Sequence, residues 1–153
     1  MIALLLTVGA VAWLALLLAA PVMPDGVAAL LDAAGSILCH QIPDRSFVLA
    51  EHRLPVCGRC LGLYAGAAAG AVLEVSRGVG AAAREALPRR AVRWLLGLGA
   101  VPTVLSLVLE WTGAWSGSNA WRCAAGVLLG GAAAVVAVRA VAASGAAHGR
   151  LLD

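Results

Sequence analysis

Cys39, His40, Cys57 and Cys60 are where this sequence concentrates its chemistry. The stretch from Cys39 to Cys60 holds three of the chain's four cysteines and two of its three histidines, between segments made almost wholly of alanine, leucine, valine and glycine. Thiolate sulfur and imidazole nitrogen are the ligands zinc prefers, and three cysteines with one histidine are a familiar zinc set. Pro55-Val56-Cys57-Gly58-Arg59-Cys60 reads as a helix start, because proline suits a first turn. The spacing then puts Cys57 and Cys60 on one helical face. Free N–H groups, the positive end of the helix and Arg59 all favour thiolate there, the form that ligates metal or attacks a disulfide. Sixteen residues separate His40 from Cys57, and at ~3.3 Å each they reach far enough to fold back over the motif. Neighbouring side chains in an extended chain point apart, so Cys39 and His40 serve one ion only across a turn. His52 is a second source of nitrogen.

The same residues support other chemistry. Cys57 and Cys60 can form a reversible disulfide with Cys39 as resolving thiol, in an oxidising compartment. They can also form a structural disulfide beside a buried thiol, with no reaction at all. Cys123 reads as a packing residue, with a place as a fourth sulfur the alternative.

The elements that must position these residues belong to a membrane protein. Hydrophobic residues make up 62% of the 153-residue chain and charged residues 12%, an excess that a single globular core cannot hide and that a lipid solvent explains. The net charge is +3 and all eleven basic residues are arginine; with so few charges the basic balance reports orientation rather than nucleic-acid binding. The sequence predicts one integral domain with four transmembrane helices at about 2–20, 57–75, 92–111 and 121–143. The first reads as a retained span and not a cleaved signal, since no positive charge precedes it. Pro102 predicts a kink in the third. Residues 25–38 are apolar but too short to span, and predict a surface or re-entrant helix between the first two spans. Arg77, Arg84, Arg89, Arg90 and Arg93 follow the second span, and Arg139 and Arg150 lie toward the C-terminus. The positive-inside rule therefore places both termini in the cytoplasm and the cysteine–histidine loop outside. Trp94, Trp111, Trp115 and Trp121 fall near span ends, at headgroup level.

A second set of polar residues is expected on the outward face. Glu110 ends an apolar span, where a free carboxylate is costly, and an ion pair with Arg59 or Arg122 would tie the spans together. Asn119 is placed to cap the fourth span. Gly62, Gly66 and Gly70, with Gly126 and Gly130, predict close approach of the second and fourth spans. That approach would bring Cys57, Cys60 and Arg122 to one mouth. No span carries an ionisable residue near its centre, which argues against a transport pathway. His148 lies in a polar tail, away from the motif.

Three stretches carry a family resemblance: CHQIPDRSF at Cys39 to Phe47, LPVCGRCLGLYAG at Leu54 to Gly66, and SNAWRCAAGVLLG at Ser118 to Gly130. Together they resemble the prokaryotic membrane proteins grouped as domain of unknown function 2085. The resemblance implies a small multi-span protein with a Cys-His motif. The family's aspartate-glycine pair near the end of the third span is replaced here by Glu110, with Gly113 beyond Trp111 and Thr112. The composite expectation is an all-α protein of the prokaryotic cytoplasmic membrane. Cys39, His40, Cys57 and Cys60 hold zinc or another transition metal outside the cytoplasm, backed by Arg59, Glu110, Asn119 and Arg122. A membrane thiol-disulfide oxidoreductase and a structural or assembly protein are the alternatives. The bilayer is the expected partner, with a second copy or a redox protein as further ones and nucleic acid as none.

Overall fold

The structure is a computed structural model that describes residues 1–78 and 87–149. Arg84 and Arg150, counted above toward the basic side, lie outside the described residues. Among the described residues five α-helices dominate: α1 Ile2–Ala19, α2 Asp25–Ser36, α3 Gly58–Ser76, α4 Arg89–Trp111 and α5 Asn119–Gly149. Between α2 and α3 the chain forms a two-stranded antiparallel hairpin, β1 Ser46–Leu49 and β2 His52–Cys57. His148 therefore belongs to the last turn of α5 and not to a separate tail.

Among the described residues three helical segments, Ile2–Val22, Arg89–Trp111 and Asn119–Gly145, are long and apolar enough to cross a membrane. Their exposed positions include Leu4, Leu5, Val8, Leu98, Val101, Leu105 and Leu128, the distribution lipid solvation selects and water penalises. These match the first, third and fourth expected spans. Helix α3 fills the place of the second but is not among the three. It is built largely from alanine and glycine, and it carries Arg59 and Glu74. Helix α4 continues through Pro102.

The α3–α5 pair is the spine. A Cβ on Gly62 or Gly66 would strike the carbonyls of Cys123 and Val127, and one on Gly70 would lie 2.9 Å from the Gly131 carbonyl. From the other side, Gly126 and Gly130 meet the carbonyls of Arg59 and Leu63. Partner numbers rise together along both helices, so α3 and α5 run parallel with backbones in contact, as small-residue faces permit. Helix α1 runs opposite to α3, with Trp13 edge-on to Tyr64 at 6.0 Å and Ala3 packed with Ala71 and Val138. Helix α4 runs opposite to α5, with Gly99 over Leu128 and Ala132, and with Thr103 Oγ1 donating to the Ala125 carbonyl at 3.1 Å. At the far end of the spine Glu74, 1% exposed, accepts two hydrogen bonds from Arg139 at 2.8 and 3.0 Å and one from Arg77 at 3.2 Å.

The hairpin was not expected from the sequence. Its two-residue turn, Ala50-Glu51, has φ of 48° and 65°, the left-handed pair that suits a tight hairpin but that Asn-Gly normally signals. Pro55 sits in β2 and not in a helical first turn; a two-stranded ribbon gives proline an edge position where its missing N–H costs little. Leu54 and Val56 of the hairpin pack with Leu17, Cys39 and Leu61 into one buried cluster, which plugs the end of the bundle. The main contacts of α2 are with β2 and the turn after α1. That lays α2 over the hairpin.

The glycine seam yields a first prediction. Gly66→Leu forces α3 off α5 and costs roughly 3 kcal/mol, read as a lowered unfolding temperature in detergent. Gly97→Leu, where nothing lies within 4 Å, leaves it unchanged. Equal effects of the two would show that the seam does not hold the bundle.

Candidate metal centre

Cys57 is the last residue of β2 and the N-cap of α3, and Cys60 is the third residue of that helix. One turn of helix thus presents both sulfurs at its N-terminal mouth. Cys39 arrives from the other direction, just past α2, with its N–H on the Gly35 carbonyl at 3.0 Å. The chain then turns sharply at Gln41, whose φ is 49°. Gln41 Nε2 donates to the carbonyls of Asp32 and Pro55, both at 2.8 Å, pinning the turn between α2 and β2. Gly35 permits that closeness, since a Cβ there would lie 2.5 Å from the Pro55 carbonyl.

The result is a triangle of sulfur. The Sγ atoms of Cys39, Cys57 and Cys60 all lie within 4.8 Å of one another, and all three residues are free thiols. Cys39 is 5% exposed. Its sulfur accepts the N–H of Cys57 at 3.2 Å and that of Gln41 at 3.4 Å. The Cys60 thiol, hydrogen-bonded to Cys57, pulls the Cys57 thiol down to about 5 despite desolvation, helped by the first-turn N–H groups of Cys60 and Arg59 and by Cys39.

His40 is exposed and lines the same cavity as the three cysteines. The ligand atoms within 4.8 Å of one another are the three sulfurs alone. His52 Nδ1 lies 2.8 Å from the Ala50 carbonyl at the hairpin turn, and the residue lines a different cavity. Cys123 stays outside the triangle, its carbonyl against Gly62.

Beside the sulfurs lies an ion cluster. Glu110, with its side chain 2% exposed, accepts from Arg122 Nε at 2.9 Å and from Arg59 Nη2 at 3.3 Å, and its second oxygen is 3.5 Å from Arg45 Nη1. Both expected partners are engaged at once. Arg45, which sequence reasoning missed, is the third. Asn119 does not cap α5: Ser118 Oγ takes that role, accepting the Trp121 N–H at 3.2 Å. Asn119 instead accepts from Arg122 Nη1 at 2.9 Å and donates to the Ser46 carbonyl at 3.1 Å, joining α5 to the hairpin. Ser106 Oγ, one turn before Glu110, accepts from Arg59 Nη2 at 2.9 Å. Its spacing from Glu110 on one helix face was the signal available for it. A cavity of about 370 Å³ opens between cluster and triangle, lined by residues of both. Three thiols at one helix mouth can hold a soft cation, and the arginines can balance the charge of the thiolates.

A second prediction concerns the carboxylate. Glu110→Ala leaves Arg122 and Arg59 without their buried counter-ion and costs about 3–5 kcal/mol. Arg45→Ala, whose side chain is 32% exposed, costs no more than about 1 kcal/mol. Thermal unfolding of both variants in the same detergent tests the ordering, and a Glu110→Ala protein as stable as the parent would refute it.

Comparison with known proteins agrees with this description. Residues 39–136 match the family model described as "Predicted membrane protein (DUF2085)". An uncharacterized protein of Methanocaldococcus jannaschii is 44% identical over 43 residues, 28% of each chain. One of Methanothermobacter thermautotrophicus is 50% identical over 30 residues, 20% of this chain and 27% of that one. The alignments thus span little more than a quarter of the curated relatives' length. No solved structure matches. The family match runs from Cys39 through the cysteine triangle, the glycine seam and the Glu110 cluster, and the chain belongs to the DUF2085 family of predicted membrane proteins.

Proposed function

We propose that this protein binds a soft transition metal, zinc foremost, at the outer face of a prokaryotic cytoplasmic membrane. Cys39, Cys57 and Cys60 supply three thiolates and His40 the fourth ligand. The observation that carries the reading is the sulfur triangle. Tetrahedral zinc with bonds near 2.3 Å sets its sulfurs about 3.8 Å apart, within reach of side chains whose sulfurs already lie inside 4.8 Å. The lowering of the Cys57 thiol favours the ligating form. Three thiolates exceed a dication by one negative charge, and Arg59 next to the ligands is suited to offset it.

For the topology, α3 crosses beside α5 as a fourth span, with its weak hydropathy offset by the glycine seam and Glu74 neutralised by Arg139 and Arg77. Arg77, Arg89, Arg90 and Arg93 cluster at the end of the bundle opposite the cysteines. At the cysteine end Arg45 and Arg53 are offset by Asp25, Asp32, Asp44 and Glu51. The basic end then faces the cytoplasm.

The test is elemental analysis of purified protein. About one zinc per chain is expected, lost in Cys57→Ser and Cys60→Ser and held at least about tenfold more weakly in His40→Ala. Metal content unchanged by the cysteine variants would end this reading. A thiol-redox reading has one observation of its own in the free thiols of Cys57 and Cys60, whose sulfurs lie within 4.8 Å of each other. Here the two thiols would form a disulfide and pass two electrons and two protons to a quinone or disulfide acceptor. Metal-free protein with a reversible Cys57–Cys60 disulfide would select it.

Orientation is checked separately in a background where the native cysteines are replaced by serine. Ser116→Cys should react with a membrane-impermeant maleimide on intact cells, and Ser76→Cys only after lysis. The reverse pattern would invert the topology.

A further inference from the structure

The ion cluster holds more positive charge than it needs. Arg45, Arg59 and Arg122 converge on Glu110, the one carboxylate paired with them among the described residues. One carboxylate leaves two positive charges over, and with Arg59 set against the thiolates one still remains. All three arginines line the 370 Å³ cavity. Arg122 is 7% exposed and Arg59 Nε is buried without a hydrogen-bond partner. Burying guanidinium groups in excess over their counter-ion costs free energy, and a ligand that supplies the missing charge recovers it. Guanidinium forks suit tetrahedral oxyanions, which offer acceptors in several directions at once. The cavity is also lined by the apolar side chains of Leu38, Leu107 and Trp111, and Leu38 and Trp111 are strongly exposed. Exposed tryptophan at the end of a span belongs at headgroup depth.

From this pairing of cationic and apolar walls we propose that the cavity binds a phosphate-bearing anion, gripped by Arg45, Arg59 and Arg122. Phosphate chemistry at this depth has two sources, the phosphodiester head of an anionic lipid and a free soluble phosphate. The grip requires only the arginines, so it is independent of whether the cysteines hold metal.

The full-length protein in a non-ionic detergent is titrated with inorganic phosphate, with dihexanoyl phosphatidylglycerol and with dihexanoyl phosphatidylcholine. Binding is read by calorimetry. Saturable binding is expected, weakened about tenfold or more in Arg45→Gln. Preference for the phosphatidylglycerol over inorganic phosphate identifies the lipid source, and the opposite order the soluble one. Chelator-treated protein should bind equally well. No saturable binding of any probe, or binding indifferent to Arg45→Gln, overturns the proposal. Binding that disappears with the metal also overturns it, since the anion would then sit on the metal and not on the arginines.

Discussion

A carboxylate that ends an apolar helix cannot be left alone, and Glu110 organises one end of this protein around that constraint. Its oxygens draw Arg59 from α3, Arg122 from α5 and Arg45 from the turn before β1. Four segments far apart in sequence thereby share one buried charge. Desolvation makes the demand strong, and three arginines answer it. Asn119 extends the network into the hairpin, and Ser106 steadies Arg59. Because Arg59 sits between Cys57 and Cys60, neutralising Glu110 also sets the turn of helix that presents the sulfurs.

The glycine seam does for the helices what Glu110 does for the loops. Gly62, Gly66 and Gly70 let α3 lie against α5 with backbones touching, and this contact sets their axial register. Register carries Glu110's partners to one end and the Glu74–Arg139 pair to the other. Both carboxylates are thus neutralised at opposite ends of one parallel pair. The exposed sides of the long helices carry mainly leucine and valine.

The cysteine site draws on both devices and on a third. Cys57 and Cys60 are local, fixed by the start of one helix. Cys39 comes from beyond α2 and is held by Gln41, whose side chain bridges α2 and β2 across a left-handed backbone turn. The buried cluster of Leu17, Leu54, Val56 and Leu61 beneath it excludes water from one side of the sulfurs. The cavity leaves the other side open toward the arginines. A metal or a redox partner would approach from there.

Much of this was legible in the residues themselves. Composition alone demanded a membrane solvent, and long uncharged runs marked three helices. The four-residue glycine spacing announced the α3–α5 contact, because only glycine on both faces lets backbones meet. The pairing of Glu110 with Arg59 and Arg122 followed from the cost of a bare carboxylate. Tertiary structure decided what local pattern could not carry. The hairpin closes on Ala50-Glu51, residues without turn preference, because the packing of Leu54 and Val56 compensates a backbone that local chemistry disfavours. Pro55 was assigned to a helix on propensity and went to a strand for that same packing. Arg45 joined Glu110, and Asn119 gave up its capping role, through contacts made across 65 and 73 positions of sequence. The separation of His40 from the sulfur triangle is equally a matter of how one turn folds, and side-chain direction at a turn is set by the contacts around it.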